Sequence, residues 1–218
     1  MTTTQTMPTI EATALFRAAY ENRYTWDANF PGFTALVQST QDGVTHQASV
    51  LISPDLKITL TEASSDEAAK LIHNQIQEIV IHRVQRSFDQ VHGKNEFALE
   101  GTDDAGAAII RVSGAAMGDR YKVHNNIVTM VHRHIRGTVV TINVSSTMDT
   151  GAGYLPVDYE SFYANPSTEE PSSPTQHHHD QYERFGDYFL PTLRRVSRAD
   201  QTDASQTQEL RLSQISLL

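Results

Sequence analysis

The sequence predicts an α+β fold in which a single highly curved antiparallel sheet, a half-barrel, wraps around one long helix. Two observations carry this reading. Between Ser64 and Gly93, the apolar residues Leu71, Ile72, Ile76, Ile79, Val80, Val84, Phe88 and Val91 recur at helical spacing and form one stripe. After Gly93 the chain reads as short extended runs separated by turns. A helix stripe needs an apolar sheet face to bury, and the sheet needs a cover. All 218 residues are expected to form one domain, with a mobile loop over about 165–181.

A first helix is expected from about Ile10 to Asn22, with Thr9 as its cap. Pro31-Gly32 then turns the chain out of an aromatic stretch. Two strands follow, joined by Asp42-Gly43, a pair that readily takes the positive φ values of a tight hairpin. Ser53-Pro54-Asp55 breaks the second strand, and an extended run resumes from Leu56 to Leu60. The long helix is expected to start at Ser64 or Ser65, where Ser64-x-x-Glu67 has the spacing of a capping box, and Gly93 suits a left-handed terminus. That helix would be about 40 Å long at the usual rise per residue, with a bend or break midway as an alternative.

The strands expected next are Glu96 to Glu100, Ala107 to Ser113, Arg120 to His124, Ile127 to Ile135 and Thr138 to Ser145. A further extended region runs from Tyr182 to Arg198. Pro191 within it removes a ladder donor, which places the strand at an edge or requires a bulge. In the last strand, Thr207 to Leu217, Leu210 and Leu212 have one parity while Ile215 and Leu217 have the other. A bulge near Ser213-Gln214 restores one buried face.

Composition excludes several classes of function. No cysteine is present, so disulfides, thiol nucleophiles and iron–sulfur clusters are ruled out. The 26 acidic and 17 basic residues give a net charge of −9, which disfavours nucleic-acid binding. No apolar run is long enough to span a membrane as a helix, so the chain is expected not to be membrane-spanning. The polar start, whose first basic residue is Arg17, leads to the expectation of a cytoplasmic protein.

The charge is segregated. No Lys or Arg occurs between Gly137 and Glu183, whereas Arg111, Arg120, Lys122, Arg133 and Arg136 precede that stretch with only Asp119 among them. This pattern reads either as a basic surface for an anionic ligand or as charges neutralised within the molecule. His132-Arg133-His134 is the most suggestive cluster, because residues two apart on a strand share a face. If Ile127, Thr129, Val131 and Ile135 face inward, Arg133 enters the interior and needs a carboxylate. If Val128 and Met130 do, then His132 and His134 enter it. A metal at the two histidines would need a third ligand, for which His92, His124 and Asp119 are candidates. His177-His178-His179-Asp180 is expected in the loop, where coordination geometry is not held.

Several strings together resemble a known family: Tyr20-Glu-Asn-Arg-Tyr-Thr-Trp-Asp27, Phe30-Pro-Gly-Phe-Thr-Ala35, Ile81-His-Arg-Val84, His92-Gly-Lys-Asn95, Ala116-Met-Gly-Asp-Arg-Tyr-Lys122 and Asp149-Thr-Gly-Ala-Gly-Tyr-Leu-Pro156. They resemble the domain-of-unknown-function 3386 family of cyanobacteria and plant plastids, over nearly the whole chain. The resemblance implies a photosynthetic lineage and no activity. The segments Phe33-Thr-Ala35, Gly43, Ser53-Pro-Asp-Leu56 and Gly186-Asp-Tyr-Phe-Leu-Pro191 also look like the LolA/LolB lipoprotein-carrier architecture. That architecture implies a curved half-barrel lidded by helices around a cavity for acyl chains. Those carriers carry export signals, whereas the start of this sequence shows none, so the likeness is one of shape.

The function expected is therefore a non-enzymatic binding protein for a lipid or other apolar ligand, held between sheet and helix. Trp26, Phe30, Phe33 and Tyr154 would line the site, and Arg83, Arg120 and Arg133 would meet an anionic group. Met130, His132 and His134 join them on the remaining parity of their strand. No motif assigns a catalytic residue, a cofactor or a bound metal. Two alternatives stand beside this reading: an assembly or scaffold factor with a protein partner in photosynthetic complexes, and a metal-dependent enzyme using His132 and His134.

Overall fold

The computed structural model describes residues 9–200 and 207–218. Its class is α+β, with twelve strands, and every strand pairing detailed below is antiparallel. The chain divides into two compact units: residues 1–23 with 86–175, and residues 24–85 with 176–218.

The first unit holds α1 (Thr9–Glu21), α3 (Phe88–His92) and the strands β4 (Asn95–Thr102), β5 (Ala108–Gly114), β6 (Arg120–His124), β7 (Ile127–Ile135), β8 (Thr138–Asp149) and β9 (Tyr154–Ala164). These strands pair in sequence order as a meander. The Thr9 cap and the Ile10 contact lie outside the described side chains. Ala12, Phe16, Ala19 and Tyr20 form the buried face of α1, at the spacing of one helical stripe. They pack with Phe88, Phe97, Ile110, Val112, Tyr121, Val123 and Val128 into a continuous core. Phe16 is central, with ring centroids 5.0 Å from Phe97 and 4.3 Å from Tyr121.

The second unit holds β1 (Phe33–Gln41), β2 (Val44–Ile52), β3 (Ile58–Thr61), α2 (Asp66–Val80), β10 (Gln176–Phe185), β11 (Tyr188–Arg198) and β12 (Gln208–Leu217). Its order is β3-β2-β1-β12-β11-β10. The helix buries Ala68, Ile72, Ile76, Ile79 and Val80, and packs on β1, β2 and β3.

Tight turns set the register. Asp42-Gly43, Asn125-Asn126 and Arg136-Gly137 each place two consecutive residues at positive φ, the twist-matched geometry of a two-residue hairpin. The expected bulges also form. In β12 the register shifts opposite Thr34 and Leu36, and Gln214 sits at φ 52°, so Leu210, Leu212, Ile215 and Leu217 are the more buried residues of the strand. In β11, Gln181 pairs with Leu193 but Tyr182 pairs with Pro191, which leaves Thr192 as the extra residue beside the proline.

Several expectations are corrected. The long helix is two helices, because α2 ends at Val80 and α3 begins only at Phe88. Of the two expected starts Ser65 caps α2, accepting a hydrogen bond from Ala68 N, so the Ser64–Glu67 capping box does not form. The capping box belongs instead to Ser87 and Gln90, which start α3. Gly93 lies at φ −62°, right-handed, with its N–H bonded to Asp89 O at 3.0 Å. The single extended region from Tyr182 to Arg198 is a hairpin turning at Gly186. It starts early enough that His177, His178, His179 and Asp180 lie on β10 rather than in a loop. Strand β9 was legible only as an aromatic segment.

The two helix starts can be told apart by mutation. Ser65→Ala is expected to cost about 1 kcal/mol in urea denaturation, the usual value of an N-cap, whereas Ser64→Ala leaves the midpoint unchanged. Equal losses at both positions would contradict the cap assignment.

Candidate functional site

The ten candidate residues fall in both units. In the second unit, Trp26 and Phe30 stack with centroids 4.3 Å apart and planes 8° apart, and Phe33 and Tyr188 meet them edge-on. Trp26 Nε1 donates to Phe189 O at 3.2 Å. Trp26, Phe30 and Phe33 are buried against one another, so they act as core rather than as an open lining.

Arg83 also lies in the second unit, on the turn that ends α2. It is 6% exposed. Its backbone carbonyl accepts from Trp26 N, and its Nη1 donates weakly to His82 O at 3.4 Å. Its Nη2 donates to Tyr182 Oη at 2.9 Å, and Tyr182 in turn donates to Asp180 Oδ2 at 3.1 Å. Asp180 faces Arg194, its direct cross-strand partner, which donates Nε and Nη2 at 2.8 and 2.7 Å in a bidentate pair. Burial pushes the Tyr182 phenol up to about 12. Burial, followed by the Arg194 charge, pushes His178 down to about 4. Sequence reasoning missed this network. The available signal was the two-residue spacing of Asp180 and Tyr182, which places both side chains on one face once the strand is extended back to Gln176.

In the first unit, β7 settles the alternative about Arg133. Lys122 pairs with Met130 but Val123 pairs with Val128, so Thr129 is an extra residue that reverses the parity. Val128 and Val131 therefore both reach the core, and Arg133 shares the face of Val131. Its Nε donates to Oδ2 of Asp119 at 3.2 Å. Asp119 is 2% exposed and also accepts from His134 N at 2.9 Å. Asp119 is thus the carboxylate that meets Arg133, although the arginine side chain stays 41% exposed rather than entering the interior.

His132 and His134 lie on the other face, with ring centroids 5.7 Å apart. His132 Nδ1 is 2.9 Å from Thr141 Oγ1. Its pKa is lowered, first by burial and then by His134. His134 Nδ1 lies 3.5 Å from Asp119 Oδ1. Of the three candidate third ligands, only Asp119 is near the pair, and it is engaged by Arg133 and the His134 backbone; His92 and His124 are elsewhere. His92 is buried among Phe16, Tyr20, Phe88, Phe97 and Tyr121, with Asn95 Nδ2 at 3.2 Å from its Nδ1. His124 is half-buried near Gly106. Among the described residues, no group of three or more His, Asp or Glu could hold a metal ion.

Arg120 pairs with Glu100, which also binds Arg111, while Lys122 pairs with Asp103. The basic run is therefore largely neutralised within its own unit. Met130 is half-buried opposite Lys122 and Asn143. Tyr154 is buried and its hydroxyl accepts from Val128 N at 3.1 Å, a structural role.

One feature of the first unit has no counterpart in the candidate set. On the face of Val131 and Arg133, the direct cross-strand partners are Ile142 and Val140, followed by Ser161 and Tyr163, with Val144 opposite Tyr159. Val131, Val140, Ile142, Val144 and Tyr159 are half-buried, and Tyr163 is exposed. The same face under α1 is fully buried.

Acid should destabilise the chain through its buried histidines. Burial, then the charges of Arg133 and Arg23, lowers His92 to about 4. In the unfolded chain His92 protonates near its ordinary value of about 6.5. The unfolded state therefore binds more protons between these values. The stability is whole above pH ~6.5 and lost as pH falls toward ~4, on the order of 3 kcal/mol for His92. Urea denaturation from pH 7.5 to 4 checks this, and His92→Phe should flatten the acid limb.

No curated protein matches the chain. The solved structure of a DUF1329 family protein from Desulfovibrio piger ATCC 29098 is similar over 94% of this chain and 92% of that one, at 8% identity and a TM-score of 0.27. A likeness that low carries no argument about fold or function. No helix among the described residues is long and apolar enough to cross a membrane. The model of the family described as "Protein of unknown function (DUF3386)" matches residues 7–218, and the chain belongs to that family.

Proposed function

We propose that this chain is a non-enzymatic binding protein for a lipid or other apolar ligand bearing an anionic group. The half-buried apolar strip on β7, β8 and β9 supports the reading, together with Arg133 on the same face. Val131, Val140, Ile142 and Val144 give a sheet surface that is apolar yet only half removed from water. Covering such surface yields roughly 25 cal/mol per Å², a driving force that an acyl chain or similar body can supply.

Arg133 would receive the anionic group. Its side chain is 41% exposed, and only Nε hydrogen-bonds to protein among the described residues. Asp119 fixes the guanidinium through Nε and leaves both terminal nitrogens to a ligand. A carrier of the half-barrel kind that the sequence resembles would hold its ligand on such a face. Tyr154 enters this proposal as supporting core, whereas Trp26, Phe30 and Phe33 belong to the core of the other unit and take no part in it.

The test is native mass spectrometry with solvent extraction of protein from its own source, followed by titration with a fluorescent fatty acid. Bound amphiphile is expected on the wild type. Ile142→Asp should weaken fatty-acid binding at least tenfold, and Arg133→Gln should weaken it for the fatty acid but not for its methyl ester. Equal binding by wild type and Ile142→Asp would sink the reading.

A further inference from the structure

We infer that Arg83 forms a second anion site, in the second unit, that takes a monocarboxylate. Arg83 is a cation with no ion pair among the described residues, although it is 6% exposed. Its Nε is fully buried and has no hydrogen-bond partner. Two of its nitrogens are held in place, Nη1 by His82 O and Nη2 by the Tyr182 hydroxyl. The guanidinium is thus oriented, and Nε is the nitrogen left without a partner.

Neighbouring groups do not neutralise it. The Tyr182 O–H is used to donate to Asp180, and the phenol stays protonated, pushed up to about 12. Asp180 is engaged bidentately by Arg194. Burial also raises the nearby Tyr24 phenol, so that group is neutral as well. The carbonyl end of α2 supplies partial negative charge, which is less than one full unit. A buried, unpaired cation is held against its preference for water, and an anion that reaches it recovers much of that cost.

The class of anion follows from charge and dimensions. One uncompensated positive charge among phenols matches one negative charge, and a dianionic phosphate would add a second desolvated charge. A carboxylate oxygen accepts the Nε hydrogen while its second oxygen lies along the Nε–Nη2 edge, the planar geometry that guanidinium favours. The flanking residues Ile81 and His82 of the same turn are exposed, so Arg83 lies one residue from solvent-facing chain.

The test compares benzoate with inorganic phosphate by isothermal titration calorimetry on the full chain. The titrations are made on Arg133→Gln, which removes the anion-binding group of the strip on β7–β9, so that benzoate taken up at that strip does not enter the comparison. In that background Arg83→Met should lose benzoate binding at least tenfold. Arg83→Lys, which keeps the charge but lacks Nε, should weaken it by a similar factor and serves if the methionine variant does not fold. Unchanged benzoate affinity in either variant overturns the site. So does the absence of benzoate binding to Arg133→Gln alone. Phosphate binding more tightly than benzoate overturns the monocarboxylate class.

Discussion

The extra residue at Thr129 decides how β7 presents its side chains, and the chemistry of the first unit depends on it. In a regular strand Val128 and Val131 would point to opposite faces. The bulge lets both join the core under α1, and it commits Arg133 to the same side. A guanidinium on a core face must meet a carboxylate or remain in contact with water. Arg133 does both, through Asp119 on one side and through its exposed terminal nitrogens on the other. Asp119 is positioned by its backbone as well, since its carbonyl accepts from Val112 N at 2.9 Å and so ties the start of β6 to β5.

The two arginines singled out as ligand groups differ in how their charge is managed. Arg133 is half-exposed and paired, so its pair contributes little stability and its free nitrogens remain hydrated. Arg83 is buried and lacks an ion pair among the described residues, so its charge is held against its solvation preference. The first arrangement suits a group at the edge of an apolar strip. The second suits a ligand that is itself desolvated on binding. Each arrangement is explained inside its own unit.

Much of the fold was legible because local chemistry and global register agree. Asp42-Gly43 dictates a tight hairpin, Pro191 demands an edge or a bulge and takes the bulge, and the parity conflict in the last strand demands another. The long helix misled because the apolar period runs on through Val84 and Phe88 after the hydrogen-bond ladder has ended at Val80. Ser87-x-x-Gln90 carried the contrary signal, a second helix start inside the supposed helix. The bulge at Thr129 was not legible, since both parities of β7 were equally apolar and polar, and tertiary packing chose between them. The network around Arg83 was hidden because the polar run before Tyr182 looks like loop. Only pairing with Arg194 makes it a strand.

The segregated charge also changes meaning once partners are assigned. Arg111 and Arg120 are direct cross-strand partners, and like charges placed so repel. Glu100 lies within 3.1 and 3.5 Å of them and offsets that repulsion, while Asp103 does the same for Lys122. The neutralising acids come from β4 and the turn after it, not from the acidic stretch after Gly137. A surface of this kind is polar but locally balanced, and salt screens what field remains. Selectivity for an anion cannot then arise from bulk charge. It must come from individual guanidinium nitrogens left without a protein acceptor, among which are the terminal nitrogens of Arg133 and Nε of Arg83.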